Sequence, residues 1–165
     1  MRFFRATNLS AKRLKFQPGV WDDLIKDLRD RGRGYRESGA FLLSNALSEA
    51  RVVSAWLPYD ELAPESLAYD YIRLESSAFS RLWEWCEARR LKVVADVHTH
   101  PTGPKQSLSD REHPMLALAG HIALIVPCFA QRRPKPRNVS YNIYKGNGEW
   151  TSFYKWNAHK RIIAP

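Results

Sequence analysis

A chain of 165 residues suits one domain with a full hydrophobic core, and its 44% apolar content is that of a folded globule rather than a disordered chain. No apolar run approaches the ~18–20 residues of a membrane span, the opening Met1-Arg2-Phe3-Phe4-Arg5 has no long apolar stretch of the kind a secretory signal needs, and Cys86 and Cys128 are too few for a disulfide framework. The net charge of +9, from 26 Lys and Arg against 17 Asp and Glu, attracts acidic proteins or nucleic acid through its long-range field.

We therefore expect a single domain over residues 1–165, with a basic N-terminal segment over about 1–17, in the cytoplasm. That segment carries Arg2, Arg5, Lys12, Arg13 and Lys15 and no acid. Trp21, Leu24, Ile25 and Leu28 stand at i, i+3, i+4 and i+7, which predicts an amphipathic helix over 20–31 after Pro18-Gly19. Strands are expected at 39–44 and 51–57 across a polar turn, and a third at 69–74 from its alternation. Phe79, Leu82, Trp83 and Cys86 form a second helical stripe over 76–89, with Ser76 or Ser77 as N-cap. The apolar run 93–97 predicts a central strand.

Ser109-x-x-Glu112 has the form of a capping box, so a helix is expected from near Asp110 to Ala119, with a kink or a broken first turn at Pro114. Buried strands follow at 121–126 and 139–143. Gly146-Asn147-Gly148 turns into a last strand over 150–156. The expected order α-β-β-β-α-β-α-β-β-β makes an α/β fold around a mixed sheet flanked by helices. Cys86 and Cys128 are expected as inert core thiols, and His121 and His159 as surface or sheet residues. Gln131-Arg132-Arg133-Pro134-Lys135-Pro136-Arg137 is a Pro-rich basic loop. Arg132, Arg133, Lys135 and Arg137 are therefore candidate substrate-binding residues.

The most informative stretch is His98-Thr99-His100-Pro101-Thr102-Gly103-Pro104-Lys105-Gln106-Ser107-Leu108-Ser109-Asp110. In an extended segment His98 and His100 point to one side, because the side-chain period is two. Asp110 arrives at the start of the next element. Two His and one Asp are a three-ligand set for a catalytic Zn²⁺ with its fourth position left to water. His113 would be a fourth ligand and would close the site, so it is not assigned as one. Asp96 lies two residues before His98 and points the same way, where it can orient an imidazole.

This run resembles the JAMM motif of the JAB/MPN metalloprotease superfamily, His-x-His-Pro followed by Ser-x-x-Asp. Five residues separate Pro101 from Ser107, as in shorter bacterial versions, and Thr99 stands where Ser is common. The resemblance covers roughly 18–156 and is sharp over 37–43 and 93–110. It implies a single-domain JAB/MPN (cytidine-deaminase-like) fold and one zinc per chain on His98, His100 and Asp110. It also implies a general base on a Glu upstream, for which Glu37-Ser38-Gly39, opening an apolar run, is the match; Glu49, Glu61, Glu65 and Glu75 fit less well. Ser107 is the implied oxyanion donor.

The activity implied is hydrolysis of the bond after the C-terminal glycine of a ubiquitin-like protein, as deconjugation or precursor processing by a bacterial deubiquitinase-like isopeptidase. Its implied partners are the ubiquitin-like protein or its conjugate, with E1-like and E2-like proteins encoded nearby, some in phage-defence operons. Two alternatives stay open. One is a RadC-like nucleic-acid-associated protein, which the Pro-Thr-Gly-Pro loop and the charge suit. The other is a non-catalytic MPN scaffold. On the first reading nucleic-acid binding is weak and non-specific, and no membrane is involved.

Overall fold

The computed structural model describes residues 13–67 and 72–165. Strand β1 (Leu14–Phe16) precedes helix α1 (Val20–Gly32), which the Trp21, Leu24, Ile25 and Leu28 stripe buries. Asp22 and Asp23 in its first turn and Arg29 and Arg31 in its last complement the helix dipole. The chain leaves through Arg33 in a left-handed conformation and enters β2 (Gly39–Asn45).

The expected strand 51–57 is two strands, β3 (Val52–Val53) and β4 (Ala55–Pro58). The break falls at Ser54, where the chain changes sheets: β3 pairs with β1, while β4 pairs with β2. A run of apolar residues carries no mark of such a switch. The short helix α2 (Tyr59–Leu62) and a 3-10 turn (Pro64–Leu67) follow. Of the strand expected at 69–74, residues 69–71 lie outside the described residues, and 72–74 belong to no strand. Helix α3 (Ser76–Ala88) matches its prediction, but its N-cap is Glu75 rather than Ser76 or Ser77, with no side-chain cap bond.

Strand β5 (Leu91–Thr99) is longer than its apolar run, because it continues through His98. Helix α4 (Leu108–Glu112) is only one turn and stops before Pro114. Its cap is Ser107, paired with Asp110 in a capping box, not Ser109 with Glu112. The expected continuation to Ala119 is absent, because a proline cannot supply the next N–H. Then come β6 (Ile122–Val126), β7 (Ser140–Gly146) and β8 (Glu149–Phe153). The last expected strand ends early and gives way to helix α5 (Trp156–His159) and strand β9 (Ile162–Ile163), which sequence periodicity is too short to reveal.

Six strands form one mixed sheet in the order β4-β2-β5-β6-β7-β8. Only β5 and β6 run parallel within it. A second, three-stranded sheet has the order β3-β1-β9. The large sheet is covered on both faces. Ala40, Leu42, Ala95, Val97 and Leu124 pack towards α1, and Phe41 and Leu43 pack with Leu82 and Cys86 of α3. The fold is thus α/β with a mixed sheet flanked by helices. No helix among the described residues is long and apolar enough to cross a membrane.

Gly39 is required by close approach. A Cβ there would lie 2.4 Å from Cε2 of Tyr59 and 2.6 Å from the carbonyl oxygen of Val97. Gly39 therefore lets β2 lie tight against β5 beside the His98 carrier, with which it is in register.

Candidate metal centre

The period-two alternation of β5 turns Ala95 and Val97 to the core and leaves Asp96 and His98 on the opposite face. Hydrogen bonds fix the strand end. The His100 N–H donates to the Val126 carbonyl at 2.9 Å, and the Phe129 N–H donates to the His100 carbonyl at 2.9 Å. The two imidazoles converge, with Nε2 of His98 3.1 Å from Nε2 of His100.

Asp110 closes the triangle from α4. Its Oδ1 is 3.2 Å from His98 Nε2 and its Oδ2 is 3.2 Å from His100 Nε2. Ser107 holds this carboxylate. Its backbone N–H and its hydroxyl donate to Oδ2 at 2.6 and 2.8 Å, and its Oγ accepts from the Asp110 N–H at 3.1 Å. The three donor residues lie within 4.8 Å of one another and could hold a metal ion. Ligands on a tetrahedral ion at ~2.0–2.1 Å stand ~3.3–3.4 Å apart. The observed spacings are close to that, and an N,N,O donor set suits zinc. Glu37 sits beside the group, with Oε1 4.0 Å from His100 Nε2.

The placement of Glu37 follows from its neighbours. The Ser38 N–H donates to Oγ1 of Thr99 at 2.9 Å, and the Thr99 N–H donates to the Ser38 carbonyl at 2.8 Å. Ser38 Oγ donates to the Leu28 carbonyl at 2.7 Å and ties the same point to α1. The residue between the two histidines thus fastens the residue after Glu37, which puts Glu37 opposite His100.

Electrostatics bind the group together. Burial opposes ionisation of Asp110, but hydrogen bonds from His100 and His98 outweigh it and hold the carboxyl far below its usual range. Burial works against a charged His98, yet its bond to Asp110 raises its pKa. Burial pushes Glu37 upward, with His98 and His100 pulling the other way.

The group opens into a cleft of about 750 Å³ walled by Glu37, Phe79, Gln106, Met115 and Trp150. It lies beside the end of β5, against the sheet face that carries Asp96 and His98, with Ala123 of β6 in its lining. His113 lines the cleft but does not belong to the three-residue group.

Several expectations are corrected. Asp96 does not orient His98 or His100. Its Oδ1 accepts from Nε2 of His121 at 2.5 Å and its Oδ2 accepts from the Tyr59 hydroxyl at 3.2 Å. His121 is accordingly a buried partner of Asp96, not a surface residue. Burial and the neighbouring Asp96 push the Tyr59 hydroxyl well above its usual pKa. Sequence separation hid this trio, because Tyr59 and Asp96 stand 37 positions apart. Cys128 is half-buried in a left-handed turn rather than sealed in the core, whereas Cys86 is buried as expected.

The basic loop does not reach the cleft. Arg132, Arg133 and Lys135 are exposed, and Lys135 pairs with Asp22 at 3.5 Å. Arg137 instead lines a separate groove with Lys105 and Lys155, two cations that motif reading passed over.

No family model matches the chain. Solved structures do. The solution structure of a protein from Desulfitobacterium hafniense superposes with a TM-score of 0.61 at 13% identity, covering 92% of both chains. That of a protein from Salinibacter ruber superposes with a TM-score of 0.56 at 18% identity, again covering 92% of both. At such identities the likeness is one of fold.

Proposed function

We propose that the cleft is the active site of a zinc-dependent peptidase of the JAB/MPN type, acting after the C-terminal glycine of a ubiquitin-like protein. One observation carries this reading. His98, His100 and Asp110 converge at 3.1–3.2 Å with Glu37 4.0 Å away; Glu37, His98 and Asp110 line the cleft, and the buried His100 closes the group from behind. A closed, structural site would have a fourth protein ligand; this one leaves a face to the solvent.

A zinc ion held by His98, His100 and Asp110 would polarise a scissile carbonyl and acidify a water towards pKa ~7. The chain's own residues do the rest. Glu37, 4.0 Å from His100 Nε2 and lining the cleft, is placed to accept the proton of that water and hand it to the leaving amine. Ser107 fixes Asp110 through three hydrogen bonds. Ser107 also lines the cleft; its single hydroxyl proton, donated here to Asp110 Oδ2, would have to turn away from that carboxylate to reach a developing oxyanion. The apolar wall of Phe79 and Met115 excludes water from one side of the extended substrate. The two free cysteines suit a reducing cytoplasm.

The test is cleavage of ubiquitin-like fusions ending in a glycine junction, with zinc content measured alongside. Cleavage by wild type and none by Glu37→Gln, both zinc-loaded, is the expected result. A zinc-loaded wild type that cuts no such fusion, yet binds nucleic acid tightly at ~150 mM salt, would favour the nucleic-acid reading.

A further inference from the structure

A second cavity of about 500 Å³ lies beyond the wall of the metal cleft. Its floor is apolar, from Pro104, Val139 and Tyr154. Its rim is cationic, from Lys105, Arg137 and Lys155. No acidic residue lines it, and none of these three cations forms an ion pair among the described residues.

Cleft and groove share two structural elements. Gln106 and Ser107 face the cleft while Pro104 and Lys105 face the groove. On the other side Trp150 faces the cleft and Tyr154 the groove. Ser152 Oγ and Gln106 Oε1, 3.4 Å apart, join the two walls. Lys105 of the groove is followed directly by Gln106 of the cleft, so the two cavities adjoin along that wall.

Lys155 supplies an independent sign. It adopts φ 52° and ψ −127°, a conformation suited to glycine. Strain of this kind persists where a side chain must be aimed at a ligand.

We propose that this groove binds an acidic segment of the polypeptide being cleaved. The apolar floor takes the aliphatic parts of the segment and the three cations take its carboxylates. This rests on the peptidase reading for the identity of the ligand, but the binding itself can be measured without hydrolysis. Charge favours an acidic partner, and continuity with the peptidase cleft favours a polypeptide over a nucleic-acid strand.

The test uses zinc-loaded Glu37→Gln protein and fluorescence anisotropy. The probes are a short peptide of alternating glutamate and leucine, its glutamine counterpart and an oligothymidylate. The acidic peptide should bind about tenfold or more tightly than the glutamine one at low salt. Reversing Lys105, Arg137 and Lys155 to Glu together should erase that preference, while Arg89→Glu with Lys145→Glu elsewhere should keep it.

Lys155→Gly gives a second readout that a merely structural lysine would not produce. It should raise the melting temperature by about 2 °C or more, as strain is released, and weaken the acidic peptide by about two- to fivefold. If the triple reversal does not fold, this variant and Lys105→Gln decide alone. Equal affinity for the two peptides, or affinity indifferent to these substitutions, overturns the proposal. So does an oligothymidylate that binds more tightly and displaces the acidic peptide. Cleavage without peptide discrimination would remove the groove alone. Discrimination without cleavage of any fusion would uphold the groove as an acidic-peptide site and remove the peptidase reading.

Discussion

Strand β5 carries two acid–imidazole clusters, begun two residues apart on one face, and they are opposites. Asp96 is met by His121 and Tyr59, so both of its oxygens have a protein donor. His98 is met by His100 and Asp110, whose nitrogens and oxygens converge on one another at 3.1–3.2 Å. The first cluster is complete in itself and buried. In the second, two imidazole nitrogens and two carboxylate oxygens face one another around a common centre beside a cleft. The same residue types therefore serve packing when their valences are satisfied internally, and invite a cation when they are not.

Removing a ligand should break that contrast most completely. His98→Ala, His100→Ala and Asp110→Ala should each fall from about one zinc per chain towards none and lose hydrolysis altogether, as read by elemental analysis and fusion cleavage. Chelation should do the same without unfolding the domain. Full zinc in all three variants would show that the open cluster is not the metal site.

Glu37→Gln comes next. It should keep zinc and fold but lose about 10²–10⁴ in rate, the usual worth of a general base. A rate near wild type would return the base to Glu49, Glu61, Glu65 or Glu75.

The closed cluster should respond in stability rather than in metal. Asp96→Ala leaves His121 and Tyr59 without their buried partner and should cost about 3–5 kcal/mol by denaturant unfolding. Its zinc content should stay at about one per chain. Loss of zinc in a folded Asp96→Ala protein would erase the distinction between the clusters.

Ser107→Ala should be milder. It removes an N-cap worth about 0.5–2 kcal/mol and a bond that orients Asp110, so zinc affinity should fall about 10–100-fold. A change in rate at saturating zinc with unchanged affinity would instead give the hydroxyl to the oxyanion alone.

The smallest effect is a pH dependence of the metal-free protein. His98, with its pKa raised in the fold, stabilises it fully below its unfolded value of ~6.5, and that contribution is lost as pH rises through the folded value. Asp110, held low, stabilises above its unfolded value of ~3.9 and loses this as pH falls. Glu37, raised by burial, adds to the decline at higher pH. The melting temperature should therefore be highest between about pH 4 and 6.5. Saturating zinc should reverse the trend towards neutral pH, because the metal takes deprotonated ligands. A metal-free melting temperature flat across that range would detach these charges from the fold.

Local pattern alone was enough for α1, α3, β2 and the coming together of His98, His100 and Asp110. Trp21, Leu24, Ile25 and Leu28 repeat with the period of a helix, and His98 and His100 share a side because a strand alternates. Asp110 needed only a short loop and a cap to reach them, all within one stretch of thirteen residues. These are short-range facts, and a sequence states short-range geometry directly. The capping box was misassigned by two residues because Ser107 and Ser109 offer the same chemistry. Only the folded backbone, cut short before Pro114, chooses between them.

What remained was decided by contacts between distant segments. Tyr59, which follows β4, reaches over Gly39 of β2 to Asp96 of β5, and His121, just before β6, meets Asp96 from the other side. Lys105, Arg137 and Lys155 share a rim because a loop, a 3-10 turn and the end of β8 converge there. Ser54 is where one apolar run divides between two sheets. Periodicity tells which way a side chain points from its own element. It does not tell what stands opposite, and burial, charge pairing and strain depend on that.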